Sequence, residues 1–178
     1  IALGDDGPSL VESVTAGAEV ELAVSVTPFY AESGGQAGDR GAIHTPTARL
    51  EVSDTYRKMG DVTLHRARVQ EGTISVGDTV SLEVGRAARA ATRRNHSATH
   101  LLHWALKEVV GEHAQQKGSL VGPDILRFDF AHNQPLTTKE IERVEDLVNA
   151  KLLTNAPVQT DVLSIEEARA KGAVAIFE

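Results

Sequence analysis

The sequence predicts an α+β fold in two parts, and three observations carry that prediction. Val20, Leu22, Val24 and Val26 alternate with polar or small residues, and Val80, Leu82 and Val84 do the same, which is the period of a half-buried strand. From about Gly85 the period lengthens to that of a helix, with Ala98, Leu101, Leu102, Ala105, Leu106, Val109 and Val110 on one broad face. Beyond that helix, strand-like and helix-like segments alternate. The boundary is read near residue 88, giving parts 1–88 and 89–178.

In the first part, further strands are expected over Ala48 to Ser53 and Val62 to Val69. Between the strands lie turn-forming pieces: Glu71-Gly72, Val76-Gly77-Asp78 and the long Ser33-Gly34-Gly35-Gln36-Ala37-Gly38-Asp39-Arg40-Gly41. Short strands joined by glycine-rich turns point to a small barrel or sandwich. In the second part, one helix is expected from about Gly85 to Val110, ended by Gly111. Arg127-Phe128-Asp129-Phe130 alternates as a strand. Thr137 and Glu140 form a capping box ahead of Ile141, Val144, Leu147 and Val148, and Pro157 closes that helix. Val158 to Leu163 reads as another strand, and Ser164 with Glu167 caps a short helix stopped by Gly172.

Composition narrows the class. With 178 residues and 41% hydrophobic content the chain can bury a core as one or two small domains. No apolar run approaches the roughly 20 residues that span a bilayer, and the N-terminus lacks the basic-then-apolar order of a signal peptide, so no membrane association and a cytoplasmic location are expected. There is no cysteine, which excludes a disulfide framework and suits a reducing compartment. The chain starts without methionine and stops in mid-pattern at Ile176-Phe177-Glu178, so it reads as a piece of something longer.

A net charge of -7 argues against wholesale electrostatic capture of nucleic acid, yet Arg86, Arg89, Arg93 and Arg94 cluster locally. At about 100° per residue, Arg86, Arg89 and Arg93 share a helical side with His96 and His100. That stripe is either a solvated face or a set of phosphate contacts.

His96 and His100 sit four apart in Asn95-His96-Ser97-Ala98-Thr99-His100, so both imidazoles leave the same face of the helix and could share one metal ion. The alternative is a pair of surface histidines. Zinc takes three or four protein ligands, and His44, His65, His103, His113 and His132 add no ligand spacing. A metalloprotease of the His-Glu-x-x-His kind is disfavoured, because Ser97 stands where its glutamate base would be.

Asn95-His96-Ser97-Ala98-Thr99-His100-Leu101-Leu102-His103, then Gln116-Lys117-Gly118-Ser119-Leu120-Val121, Pro123-Asp124 and Arg127-Phe128-Asp129-Phe130, resemble the editing region of alanyl-tRNA synthetase. Phe29-Tyr30-Ala31-Glu32-Ser33-Gly34-Gly35-Gln36, with Gly38-Asp39 and Gly41, is similar to that family's glycine-rich segment just upstream. The order and spacing agree from about Thr27 to Phe177.

The resemblance implies a small N-terminal β-barrel followed by an α+β editing domain of the type shared by threonyl-tRNA and alanyl-tRNA synthetases. It implies zinc held by His96 and His100 together with a downstream Cys-x-x-x-His pair, before which this chain stops. Gly172-Ala173-Val174-Ala175-Ile176-Phe177 resembles the lead-in to that second pair, so weak zinc binding or none, and poor editing, are expected of the chain as it stands. The implied reaction is hydrolysis of the ester linking serine or glycine to the 3′ end of tRNA(Ala). A second hydrolytic site is physically needed because an alanine-sized pocket discriminates poorly against one methyl fewer or one hydroxyl more.

Gln36 matches the functional glutamine of the family's glycine-rich motif, and a turn-capping amide is its plainer role. Thr99 matches as well, at a position where an ordinary surface hydroxyl would also sit. Arg86, Arg89 and Arg93 are candidates for tRNA phosphate contacts by stripe position. Expected partners are the tRNA(Ala) acceptor end carrying serine, glycine or alanine, and the rest of the synthetase chain. ATP and magnesium belong to an aminoacylation domain absent here. A freestanding trans-editing deacylase and a noncatalytic tRNA-binding module are the alternatives.

Overall fold

The computed structural model describes residues 2–4, 7–58 and 60–173. The strands in chain order are β1 (Ala2–Gly4), β2 (Gly7–Ser9), β3 (Ser13–Thr15), β4 (Glu19–Leu22), β5 (Gly41–His44), β6 (Arg49–Lys58), β7 (Val62–Glu71), β8 (Thr73–Ser75) and β9 (Ser81–Val84). Helix α1 (Arg86–Val110) follows, then β10 (Gln116–Val121), β11 (Leu126–Phe130), α2 (Thr138–Leu153) and α3 (Ile165–Ala170). The fold is α+β. It divides into two compact units, 1–99 with 119–127, and 100–118 with 128–178.

In the first unit, seven strands form one sheet in the order β2-β1-β4-β7-β6-β5-β9. Its register puts apolar residues opposite one another: Val20 faces Ala67, Leu50 faces Val69, Val52 faces Ala67, and Ile43 lies between Leu50 and Leu82. These side chains, with Phe29, Ala48 and Ile74, form the core of the unit. The alternation along β6 and β7 thus becomes a single buried face, because successive side chains point to opposite sides of a strand.

The sheet is open, which corrects the expected barrel. Among the described residues no ladder joins β2 to β9, and β3 pairs instead with β8 as a separate ribbon, Ser13 to Ser75 and Thr15 to Thr73. Closure needs strands long enough to tilt and stagger past one another, and the two edge strands have only 3 and 4 residues.

The second unit has its own core of Ala105, Leu106, Ala114 and Val144, against which Leu102, Val109, Phe128, Phe130, Leu147 and Val148 pack. Helix α2 starts where its sequence says it should. The Thr137 hydroxyl accepts from the Glu140 N–H while the Glu140 carboxylate accepts from the Thr137 N–H, satisfying two helix-end donors at once. Ser164 and Glu167 repeat the motif at α3. His103 packs on Phe128 with ring centroids 5.1 Å apart.

Val158 to Leu163, expected as a strand, is irregular, with Val158 86% and Val162 98% exposed. Alternation marks a segment able to pair, but a strand forms only against another edge, and no described edge meets this one. The Val174 to Phe177 part of the expected lead-in lies outside the described residues. No helix among them is long and apolar enough to cross a membrane.

Candidate active site

The glycine-rich segment forms a long loop from Thr27 to Gly41, tied down at both ends and in the middle. At its start, the Thr27 hydroxyl lies 2.8 Å from His65 Nε2, and the Phe29 ring meets that imidazole edge-on, 5.2 Å between centroids. His65 is fully buried, and desolvation pushes its pKa below the ordinary histidine value, which keeps the ring neutral. In the middle, the Glu32 N–H donates to the Thr55 carbonyl at 2.8 Å. At the end, the Gly85 N–H donates to the Arg40 carbonyl at 2.7 Å.

The tip is a two-residue hairpin. Ser33 and Gln36 exchange backbone hydrogen bonds of 3.0 and 3.2 Å, and Gly34 and Gly35 between them have φ of 58° and 83°. Two successive positive φ values define the mirror-image turn that glycine adopts without strain. Gly35 is needed for a second reason. A Cβ there would stand 2.5 Å from both the carbonyl oxygen and the hydroxyl of Ser119. This close approach lets β10 clasp the loop: the Val121 N–H donates to the Gly35 carbonyl at 2.8 Å, and the Ala37 N–H donates to the Val121 carbonyl at 2.9 Å.

Gln36 is thereby aimed at helix α1, where its Oε1 lies 2.6 Å from His96 Nδ1. An amide oxygen can only accept, so Nδ1 carries the proton in this hydrogen bond. A neutral imidazole protonated there offers Nε2 to a metal, a water or a proton. The neighbouring Asn95 side chain donates to the Gly122 carbonyl at 2.7 Å and to the Pro123 carbonyl at 3.3 Å, fixing the turn after β10 against the helix.

The remaining expected residues fall in different settings. His100, one turn beyond His96 on α1, is exposed. Thr99 is not a surface hydroxyl: it is 6% exposed and donates to the Asn95 carbonyl at 2.8 Å within the helix. Arg86 and Arg93 are exposed. Arg89 forms a forked ion pair with the buried Asp39, Nε donating to Oδ1 at 2.8 Å and Nη2 to Oδ2, while Nη2 also reaches the Pro28 carbonyl at 2.9 Å. The hydrogen bond to Asp39 holds the Arg89 pKa above even its usual high value.

Among the described residues no cluster of three His, Asp or Glu side chains is placed to hold a metal. Zinc takes three or four protein ligands, and His96 and His100 are two imidazoles of one helix.

Asp39, Asn95 and Ser119 belong to this arrangement, although sequence reasoning did not single them out. All three stood inside quoted motifs. A local pattern, however, does not reveal that the partner of Asp39 lies 50 residues away or that of Asn95 27.

The family model for class II (A) tRNA synthetases matches residues 1–88. The chain is 61% identical over 170 residues to an alanine–tRNA ligase of Sorangium cellulosum, covering 96% of the chain and 18% of that protein. Relatives of the same name from Paraburkholderia xenovorans and Delftia acidovorans are 51% and 50% identical over 177 residues, each covering 99% of the chain. The chain belongs to the alanine–tRNA ligase family. It spans 18% to 20% of the length of these ligases, and within that segment the glycine loop and helix α1 meet at Gln36 and His96.

Proposed function

We propose that this segment belongs to the editing region of an alanine–tRNA ligase, where serine or glycine wrongly esterified to tRNA(Ala) is hydrolysed. The observation that carries the reading is the Gln36–His96 hydrogen bond. It joins two polar motifs 60 residues apart, through a loop whose backbone is too crowded to serve merely as a connector. An ion pair to a buried carboxylate, a β-strand clasp and two consecutive glycines are a large structural investment for aiming one amide at one imidazole.

In this reading Gln36 fixes the His96 tautomer and orients the imidazole toward the substrate ester. Nε2 of His96 is positioned to accept a proton from water or to bind a metal. Zinc, when bound through His96, His100 and a downstream Cys-x-x-x-His pair, would polarise the ester carbonyl or acidify water. His96 and His100 would supply two of those donors. Thr99, buried and bonded along the helix, supports the backbone next to the histidines. Arg86 and Arg93 offer exposed cations to acceptor-stem phosphates.

The parent protein, in a cytoplasmic setting, would join alanine to tRNA with ATP and magnesium through a region outside this chain. The test is deacylation of Ser-tRNA(Ala) and Gly-tRNA(Ala) by the parent ligase and by its Gln36→Ala and His96→Ala variants. Loss on the order of 100-fold or more in either variant is expected for removal of a group that acts on the transition state. Full hydrolysis in both would overturn the reading. Tight tRNA binding with no hydrolysis even by the wild type would favour a noncatalytic tRNA-binding module.

A further inference from the structure

The loop that presents Gln36 is held to helix α1 at a second point, Arg89, two turns before His96. We propose that Arg89 is a positioning residue for the Gln36–His96 pair, acting through Asp39, and not a contact to tRNA phosphate. The inference rests on reading that pair as part of an ester-hydrolysing site.

Asp39 is 7% exposed and is the knot of the loop. Its carboxylate accepts from the Tyr30 N–H at 2.5 Å, its own N–H donates to the Tyr30 carbonyl at 2.9 Å, and its carbonyl accepts from the Thr55 hydroxyl at 2.9 Å. The two arms of the loop and β6 therefore converge on one residue three positions after Gln36. The Arg89 guanidinium closes the knot from the helix side, satisfying both carboxylate oxygens and the Pro28 carbonyl. A planar fork suits this task as an ammonium would not.

Removing the guanidinium leaves a buried carboxylate without its counter-charge, which is strongly unfavourable unless water reaches it. Removal also deletes all three hydrogen bonds by which Arg89 ties the loop to helix α1, and a loop released there carries Gln36 away from His96. Arg86 and Arg93, one turn to either side, are exposed and provide the contrast.

Amide exchange by mass spectrometry on the intact parent ligase tests this without reference to activity. Arg89→Gln should speed exchange across residues 33–38 by about tenfold or more, and Arg86→Gln should leave that peptide unchanged. Asp39→Asn removes the same ion pair from the other side and should reproduce the effect, which guards against a folding defect peculiar to one variant. In the deacylation assay, Arg89→Gln should lower kcat on the order of 10–100-fold, as loss of an orienting partner does. The tRNA Kd and its salt dependence should stay put. Arg89→Lys, keeping charge without the fork, should recover part of the rate.

Unchanged exchange in both Arg89→Gln and Asp39→Asn would overturn the proposal. So would a weakened Kd whose log–log salt slope falls by about one, the mark of one phosphate no longer neutralised. If Gln36→Ala and His96→Ala leave deacylation intact, the reading of the site fails instead, and exchange at 33–38 still decides whether Arg89 holds the loop.

Discussion

Replacing Gly35 by alanine should damage the chain in two separable ways, and its neighbour Gly34 isolates one of them. Both residues have positive φ, 58° at Gly34 and 83° at Gly35, so alanine at either costs about 1–2 kcal/mol of left-handed strain. A Cβ at Gly34 meets nothing within 4 Å. At Gly35 it would stand 2.5 Å from the Ser119 carbonyl oxygen, a backbone atom of β10 that cannot rotate aside. Forcing that overlap to relax costs about 1–3 kcal/mol more, the usual range for overpacking. Urea unfolding of the two variants measures the difference, and heating should show it as roughly 2–12 °C in Tm, at about 2–4 °C per kcal/mol for a chain of this size. Equal losses for Gly34→Ala and Gly35→Ala would refute the claim that β10 clasps the loop tip.

Three further outcomes follow from the same geometry. The folded-state pKa of His65 lies below its ordinary 6.5, so the buried neutral ring contributes stability that is complete above pH 6.5 and is lost as pH falls toward the folded value. His103, also depressed by burial, acts in the same direction, so His65→Gln should reduce the acid slope of unfolding free energy without abolishing it; an unchanged slope would contradict the assignment. Tyr56→Phe removes the hydroxyl that donates to buried Glu21 and chiefly holds its pKa down; equilibrium unfolding should show a loss of about 1–3 kcal/mol, and no loss would mean the pair is incidental. Arg86→Gln and Arg93→Gln in the parent ligase should weaken tRNA binding and lower its log–log salt slope by about one for each phosphate the arginine neutralises, whereas an unaltered slope would place both on a merely solvated face.

The parts of this fold that were legible in the sequence are those where one local signal suffices. Helix α1 was readable to within a residue, because a sustained apolar face is bracketed by Gly85 and Gly111. Helix α2 was readable because Thr137 and Glu140 carry its start in two side chains. Strands β1, β2, β3 and β8 were not, since 3 residues are too few to display a period. Val158 to Leu163 has the period but no described partner edge, and alternation alone does not create one.

At the candidate site, residue types were legible and their pairings were not. Gln36 and His96 stood out singly, yet their hydrogen bond depends on the Gly35–Ser119 approach and the Asp39–Arg89 fork. Thr99 reads as a surface hydroxyl because a helical projection sorts residues by the helix's own apolar face. It cannot register burial on a second side.

The most direct test of the account is a double-mutant cycle on Ser-tRNA(Ala) deacylation by the parent ligase, with Gln36→Ala, His96→Ala and the pair. If the amide acts by orienting the imidazole, the double variant should be no slower than His96→Ala, because Gln36 has nothing left to orient. Losses that multiply would mean that the two side chains act independently, and the 2.6 Å contact between them would not be the working part of the site.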